Sequence, residues 1–235
     1  MLRYIDSKKM GRANHGWLDS HFHFSFDQYY NPQNIHYGVL RVLNDDTVQP
    51  DEGFDTHPHK NMEIISYVVN GELTHADSMR NEETLTRGMS QYMSAGTGVH
   101  HSEFNRGSGI LRFLQIWILP DANGYKPNYG SVRFEFSERE NKWLPIAAQY
   151  GDEKSSAPIR VHADINMSAI YLRDGEHAAF NVAQNRQAYV VLIEGTADIG
   201  GIKMTERDAL EVTGEDVEIT PDGIAHVLAI EMAQE

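Results

Sequence analysis

A segment in the first half of the chain reads Gly53-Phe54-Asp55-Thr56-His57-Pro58-His59-Lys60-Asn61-Met62-Glu63. Its two histidines are two residues apart, and residues i and i+2 of an extended strand point to the same face. A later segment reads His100-His101-Ser102-Glu103, in which His101 and Glu103 have the same spacing. Three neutral imidazole nitrogens and one carboxylate oxygen suit a divalent first-row metal. The two segments therefore predict a metal site built on strands.

The composition narrows the chemistry that the chain can perform. It has 235 residues, no cysteine and a formal net charge of −14 at pH 7. Without cysteine there are no disulfides, Fe–S clusters or thiol catalysis, so any metal site must use His, Asp and Glu. The acidic surface repels phosphate backbones and anionic lipids, and we expect no direct binding to nucleic acid or membrane. The length suffices for one large β domain or two small ones.

We expect neither a signal peptide nor a membrane-spanning segment in this sequence. Residues 1–9 are charged and lack the apolar core of a signal peptide. The longest apolar stretches, at 111–120 and 188–193, are too short to span a bilayer. We therefore expect a cytoplasmic protein.

Short strands separated by turns dominate the predicted secondary structure. Phe22, Phe24 and Phe26 alternate with His and Ser, which predicts a strand with one aromatic face. Asn70-Gly71 suits a tight hairpin turn between strands at 63–69 and 73–79. Further strands are predicted at 37–43, 88–93, 109–119, 159–161, 169–172, 178–182, 189–193 and 227–230, with one short helix near 137–143. Regular turns between short strands favour barrels or sandwiches.

A segment rich in Gly, Pro and Asn at 121–130 indicates a linker between two halves. The paired histidines all lie before it. The second half contains His162, His177 and His226, but no His-x-His and no partnering acid at a matching spacing. We predict an N-terminal metal-binding barrel over residues 1–130 and a C-terminal degenerate barrel over residues 131–235 that binds no metal.

These strings resemble those of the pirin family, which belongs to the cupin superfamily. The resemblance is carried by Gly16-Trp17-Leu18-Asp19-Ser20, Leu40-Arg41-Val42, the segment from Gly53 to Ile64, Asp77-Ser78, Met93-Ser94-Ala95-Gly96, His101-Ser102-Glu103 and Leu114-Gln115-Ile116-Trp117. It is dense over residues 14–120 and weak elsewhere. Pirins are bicupins, so the resemblance implies an all-β fold of two antiparallel jelly-roll barrels stacked face to face.

The resemblance also implies the metal ligands, which on matching positions are His57, His59, His101 and Glu103. Strand parity alone does not choose between Glu103 and Glu63, because Glu63 has the parity of the first two histidines and stands where many other cupins place a ligand. The pirin pattern favours Glu103. The alternative for Glu63 is a partly buried carboxylate that is hydrogen-bonded near the site. The implied metal is Fe(II), with Mn, Ni, Co, Cu and Zn as alternatives.

Several other side chains bear on the predicted site. His100 has the opposite parity to His101, so it is expected to face away from the metal. Phe22 stands where pirins tend to have a histidine, which predicts a different substrate fit. His75 matches a family histidine, either at the barrel mouth or in a structural hydrogen bond. The three tryptophans are expected to be core residues: Trp17, Trp117 and Trp143.

Many bacterial pirins are similar to quercetin 2,3-dioxygenases, which open the flavonol ring with O2 and release carbon monoxide. The resemblance therefore implies a small aromatic substrate such as a flavonol, O2 as the second substrate, and Glu103 as a ligand that also takes the proton of the 3-hydroxyl. The alternative is a non-enzymatic, iron-dependent regulatory protein that binds a protein partner. A sugar isomerase or another cupin enzyme needs a polar pocket, which the phenylalanine-rich first strand disfavours.

Overall fold

The computed structural model describes residues 1–234, which form two compact units built almost wholly from antiparallel strands. The first unit contains residues 11–135 and 161–163. The second contains residues 1–10, 136–160 and 164–234. The all-β class predicted from the sequence is therefore confirmed.

The strands follow one another along the chain with short connections. In order they are β1 (Leu2–Ile5), β2 (Gly11–Asn14), β3 (Leu18–Phe22), β4 (Leu40–Val48), β5 (Gly53–His59), β6 (Glu63–Asn70), β7 (Leu73–Asp77), β8 (Glu82–Leu85), β9 (Ser90–Ser94), β10 (Val99–Asn105), β11 (Leu111–Ile118), β12 (Asn128–Val132), β13 (Leu144–Gln149), β14 (Ile159–Val161), β15 (Ile165–Arg173), β16 (Ala178–Phe180), β17 (Arg186–Ile199), β18 (Ile202–Thr205), β19 (Ala209–Thr213) and β20 (Val217–Ala233). The helical elements of residues 1–234 are two short 3-10 turns, Ser7–Lys9 and Phe136–Arg139. Over the same residues, no helix has the length and apolar character needed to cross a bilayer.

The first unit consists of two sheets that share a core. One sheet has the order β12-β9-β6-β11-β4-β3-β2, and the other has the order β5-β10-β7-β8. The core between them is formed by eight buried apolar side chains: Leu18, Val48, Val68, Leu73, Leu85, Met89, Leu111 and Phe113. Because both sheets contribute to this cluster, it holds the strands that carry the predicted site in a fixed relation.

The connection from β6 to β7 differs from the predicted hairpin. β6 pairs with β9 and β11, whereas β7 pairs with β8 and β10, so Asn70-Gly71 carries the chain from one sheet to the other. Gly71 has a φ of +82°, and a Cβ there would lie 2.6 Å from the carbonyl oxygen of Ile110. The predicted turn is confirmed, but the predicted hairpin is wrong. Val68 and Leu73 both bury their side chains in the core that the two sheets share.

The predicted aromatic strand is shorter than expected. β3 ends at Phe22, and Phe24 and Phe26 lie in the connection to β4. The chain turns at Asp27, whose φ is +49°, and Phe26 forms an isolated bridge with Tyr29. The predicted helix near 137–143 is also reduced, to the single 3-10 turn Phe136–Arg139.

The division between the units falls later than the predicted one. Residues 130 and 131 lie inside β12, which pairs with β9 of the first unit, so the first unit extends to Glu135. The first ten residues belong to the second unit because β1 pairs with β19. Segment 121–130 is thus partly a strand rather than a linker throughout. That the first unit binds metal and the second does not stays a proposal.

The second unit is built on one large sheet with the order β1-β19-β17-β20-β15-β13-β14. β16 and β18 add to β20 and β17. Its core comes from buried aliphatic side chains of the long strands β17 and β20 and their neighbours. Trp143 packs against this cluster, and its indole N–H donates to the Ala179 carbonyl oxygen at 2.8 Å.

Candidate metal centre

The structure brings three of the predicted ligands together. His57 and His59 lie on β5, and His101 lies opposite His57 on the antiparallel strand β10. The ring centroids are 4.5 Å apart for His57 and His101, and 4.9 Å apart for each of the other two pairs. One nitrogen from each ring lies within 4.8 Å of the others. We call these three residues the histidine cluster.

Pro58, between the first two histidines, is compatible with this strand. β5 lies at the edge of the four-stranded sheet, so one of its sides needs no ladder hydrogen bond. Proline has no backbone N–H and is tolerated at such an edge. The strand therefore presents His57 and His59 on one face without breaking its pairing with β10.

Two of the rings have a nitrogen that is ready for a metal ion. His57 Nδ1–H donates to the Asp55 carbonyl oxygen at 2.7 Å, which leaves Nε2 with its lone pair. His101 is 2% exposed, and its Nε2 has no hydrogen-bond partner. A buried nitrogen without a partner is costly. A metal ion would satisfy it, so the donor set fits the implied group.

The charge state of the cluster also suits a metal. Burial, together with the neighbouring imidazoles of His101 and His57, lowers the pKa of His59 to about 3. Burial likewise lowers the pKa of His101 to about 3, with His57 and His75 adding to the effect. Both rings are therefore neutral at pH 7, which is the form that ligates metal ions.

Glu103 lies on β10, two residues beyond His101, and is 2% exposed. Its Oε1 accepts hydrogen bonds from Ser66 Oγ at 2.8 Å and Gln91 Nε2 at 2.6 Å, and its Oε2 accepts one from Gln115 Nε2 at 2.5 Å. These donors come from β6, β9 and β11 of the other sheet. Three neutral donors orient the carboxylate beside the histidine cluster.

Glu103 belongs to a second group of close ligand atoms, which shares His101 with the first. In this second group, ligand atoms of His75, His101 and Glu103 lie within 4.8 Å of one another. His75 is fully buried, its Nδ1 lies 3.5 Å from His101 Nδ1, and its ring stacks on Tyr129 at 4.3 Å. His75 thus lies within hydrogen-bonding distance of His101 and of Asp77.

The remaining two candidates, Glu63 and His100, lie outside the histidine cluster. Glu63 is buried, accepts a hydrogen bond from Ser94 Oγ at 2.7 Å and lies 3.3 Å from His162 Nδ1. It shares parity with His57 in sequence only, because a turn with Asn61 at a φ of +51° carries the chain into the other sheet. His100 is exposed, as its opposite parity predicts.

A cavity of about 370 Å³ adjoins the histidine cluster. His57, His59 and Glu103 line it, together with five aromatic side chains: Trp17, Phe22, Phe26, Phe54 and Trp117. The expectation that Trp17 and Trp117 are core residues holds only in part, since each packs against a buried apolar cluster but is half-buried and also lines the cavity. Trp117 packs edge-on against His59 at 4.8 Å between ring centroids. A concave, aromatic surface beside polar groups suits a flat aromatic ligand.

The sequence analysis missed the polar residues of the cavity wall. Asn44 and Asp46 line the cavity and are 3% and 2% exposed. Ser20 Oγ donates to Asp46 Oδ1 at 2.5 Å. Burial raises the pKa of Asp46 to about 7; the charges of Asp45 and Glu103 add to the effect and the Ser20 hydrogen bond opposes it. The available signal was the polar run Asn44-Asp45-Asp46 inside a strand that begins and ends with apolar residues.

Known proteins match the chain over nearly its whole length. Residues 5–118 match the pirin family model, and residues 146–232 match the model of the quercetinase C-terminal cupin domain. The protein named quercetin 2,3-dioxygenase from Escherichia coli K12 is 38% identical over 234 residues, with 99% of each chain covered. A pirin-like protein of Caulobacter vibrioides is 38% identical over 216 residues, with 91% of this chain and 92% of that protein covered.

Solved structures match it equally well. The crystal structure of YhhW from Escherichia coli has a TM-score of 0.93 at 35% identity and covers 100% of this chain and 99% of that chain. The structure of the bacterial pirin YhhW in complex with nickel(II) has a TM-score of 0.92 at 35% identity, with 100% of each chain covered. The resemblance stated from the sequence is confirmed.

Proposed function

Because the chain belongs to the pirin family, we propose that it is a metal-dependent dioxygenase that opens the heterocyclic ring of flavonols such as quercetin with O2 and releases carbon monoxide. The observation that carries the proposal is the position of the histidine cluster against an aromatic cavity. The name quercetin 2,3-dioxygenase of the Escherichia coli relative supports it. In this account the substrates are a flavonol and O2, and the products are the ring-opened ester and carbon monoxide.

The ligands that we propose for the metal are His57, His59, His101 and Glu103. The unpartnered Nε2 of His101 and the neutral state of His59 support the histidines. The burial of Glu103 beside His101 supports the carboxylate. Fe(II) is the metal that we propose, and the nickel(II) complex of the YhhW relative supports a divalent first-row ion in this fold. A bound ion of this kind supplies Lewis acidity, which lowers the pKa of a coordinated hydroxyl.

The protein's own residues then bind the substrate and take its proton. Phe22, Phe26 and Trp117 offer flat apolar surfaces for an aromatic ring system and exclude water from it. Glu103 reaches the same cavity, and its carboxylate is held by donors from three strands of the facing sheet. A carboxylate fixed in this way can accept the proton of the flavonol 3-hydroxyl as a general base.

The test is oxygen uptake with carbon monoxide detection after quercetin is added to the Fe(II)-loaded protein. The control is the double variant His57→Ala, His59→Ala, which removes two proposed ligands from one strand. We expect metal-dependent oxygen uptake with carbon monoxide, and neither from the control. If Fe, Mn, Ni, Co and Cu all fail to support uptake, the dioxygenase proposal is wrong, and capture of a protein partner becomes the next experiment.

A further inference from the structure

We propose that Asn44 and Asp46 form a second hydroxyl-binding point in the cavity wall, so that the preferred ligand is a flat aromatic molecule with at least two hydroxyl groups. One hydroxyl is then held at the histidine cluster and another at this second point, which we call the polar wall. The inference rests on the proposed function, because it concerns the ligand of the same cavity.

Strand register places the polar wall beside the candidate metal centre. Asn44 and Asp46 are two residues apart on β4, so both side chains point to the cavity face. Asn44 pairs in register with Gln115 on β11, and Gln115 donates to Glu103. Asp45, between them, points the other way and forms an ion pair with Arg112 at 2.6 Å. The polar wall is therefore a feature of the cavity rather than part of that ion pair.

The polar wall has hydrogen-bonding capacity that the protein does not use. Asn44 Oδ1 accepts no hydrogen bond although the residue is 3% exposed. The hydrogen bond that holds the Asp46 carboxyl comes from Ser20 and goes to Oδ1, which leaves Oδ2 for a ligand. Leaving a buried polar group unpaired costs roughly 1–3 kcal/mol. The fold alone gains nothing from these groups, because an apolar side chain would pack at both positions at lower cost.

The chemistry of the wall selects a hydroxyl group. An anionic ligand group is disfavoured here, because the carboxyl groups of Asp46 and Glu103 line the same cavity and an added negative charge would oppose their ionisation. Burial disfavours the charged form of Asp46, so a neutral partner that both donates and accepts is preferred over a cation. A phenolic hydroxyl meets this requirement, because it can both donate to and accept from the Asp46 carboxyl and the Asn44 amide, two groups whose residues line the cavity. Two-point binding also fixes the orientation of a flat ligand, which a single anchor does not.

The test compares two flavonols by isothermal titration of the Ni(II)-loaded protein under nitrogen. Quercetin carries hydroxyls beyond the one at position 3, whereas 3-hydroxyflavone carries that one alone. We expect the unmodified protein to bind quercetin at least about tenfold more tightly, since an unpaired polar site disfavours the ligand that lacks its partner. Asn44→Leu is expected to reduce this preference to about twofold or less, because quercetin loses a hydrogen bond while 3-hydroxyflavone no longer leaves a polar group unpaired.

Two more variants serve as controls for this test. Thr47→Val is the control, because it removes a polar group from the same strand outside the cavity wall, and it should keep the full preference. Asp46→Asn retains a donor and an acceptor, and it should keep most of the preference even if Asn44→Leu does not fold. Equal binding of both flavonols by the unmodified protein would overturn the polar wall and leave the proposed function standing. Binding of neither flavonol would contradict both.

Discussion

The Nδ1 atoms of His75 and His101 lie 3.5 Å apart, and His75 Nε2 lies 3.2 Å from Asp77 Oδ2. The three side chains thus form a row that leads from the histidine cluster to a carboxylate. A carboxylate only accepts, so His75 Nε2–H donates to Asp77. The Nδ1 of a neutral His75 then accepts from His101 Nδ1–H, and the lone pair of His101 Nε2 is left for a metal ion. This row selects the ring tautomer that a ligand needs.

Replacing His75 should therefore weaken metal binding although His75 is not a proposed ligand. We expect His75→Ala to lower the affinity for Ni(II) by about 10–100-fold, because the orienting partner of His101 is lost. Titration with Ni(II) against a competing chelator measures this directly. His100→Ala, an exposed change next to His101, is the control and should bind as the unmodified protein does. Unchanged affinity in His75→Ala would contradict the tautomer argument.

Glu103→Gln tests the general base. The amide keeps the size of the side chain but cannot take the substrate proton, so we expect weaker but measurable metal binding and a kcat lower by about 10²–10⁴-fold. The matched control is Glu63→Gln, which changes a buried carboxylate that lies against Ser94 and His162. Oxygen uptake with quercetin is the measurement, with metal content determined for each variant. Turnover at the parent rate in Glu103→Gln would show that the base is another group.

The sequence could predict this pair of carboxylates only in part. Parity is reliable within one strand, which is why His57 and His59, or His101 and Glu103, are found on common faces. It fails across the turn at Asn61, because the chain leaves one sheet and enters the other. The family pattern favours Glu103 over Glu63, whereas the spacing of residues along the strands does not distinguish the two. The four-ligand set itself stays a prediction.

The features that the sequence did not predict also depend on which strands pair with each other. The polar run that contains Asn44 and Asp46 does not show which face of the strand borders a cavity, and only the register of β4 against β3 and β11 places these two residues in a cavity wall. Likewise, Asn70-Gly71 signals a turn, but which strands pair after it depends on contacts distant in sequence. Local patterns therefore predicted many of the strands and the all-β class, but not the partners of each strand.

The raised pKa of Asp46 predicts a pH dependence of stability. Its pKa is about 7 in the folded protein, whereas the ordinary value for an aspartate is 3.8. The folded state therefore binds the proton more tightly, and the resulting stability is fully present below about pH 4 and lost as the pH rises to about 7. Over that window this group lowers the free energy of unfolding by at most about 1.4 kcal/mol per pH unit. Asp46→Asn should remove this loss.

Urea unfolding of the metal-free protein at several pH values between 4.5 and 8, spaced by about one unit, measures the effect. The stability of Asp46→Asn relative to the unmodified protein should increase with pH up to about 7 and then level off. Asp222→Asn, at an exposed position, should run parallel to the unmodified protein. A constant difference between Asp46→Asn and the unmodified protein would show that Asp46 is ionised throughout.

The corner between β6 and β7 predicts a difference between two glycine variants. Gly16 and Gly71 have φ values of +83° and +82°, but a Cβ at Gly16 meets no atom within 4 Å, whereas one at Gly71 lies 2.6 Å from a backbone oxygen. Gly16→Ala should cost about 1–2 kcal/mol from the backbone conformation alone. Gly71→Ala should cost at least about 1 kcal/mol more, because the Ile110 backbone must move. Chemical denaturation measures both, and equal costs would contradict the close approach.

The central claim is that one metal ion is held by His57, His59, His101 and Glu103 beside the aromatic cavity. The most direct measurement is a crystal structure of the Ni(II)-loaded protein, with the ion located by its anomalous signal. We predict a single site coordinated by three imidazole nitrogens and the Glu103 carboxylate. An ion held by His75, His101 and Glu103 without His57 and His59, or an ion at Glu63, would contradict the account.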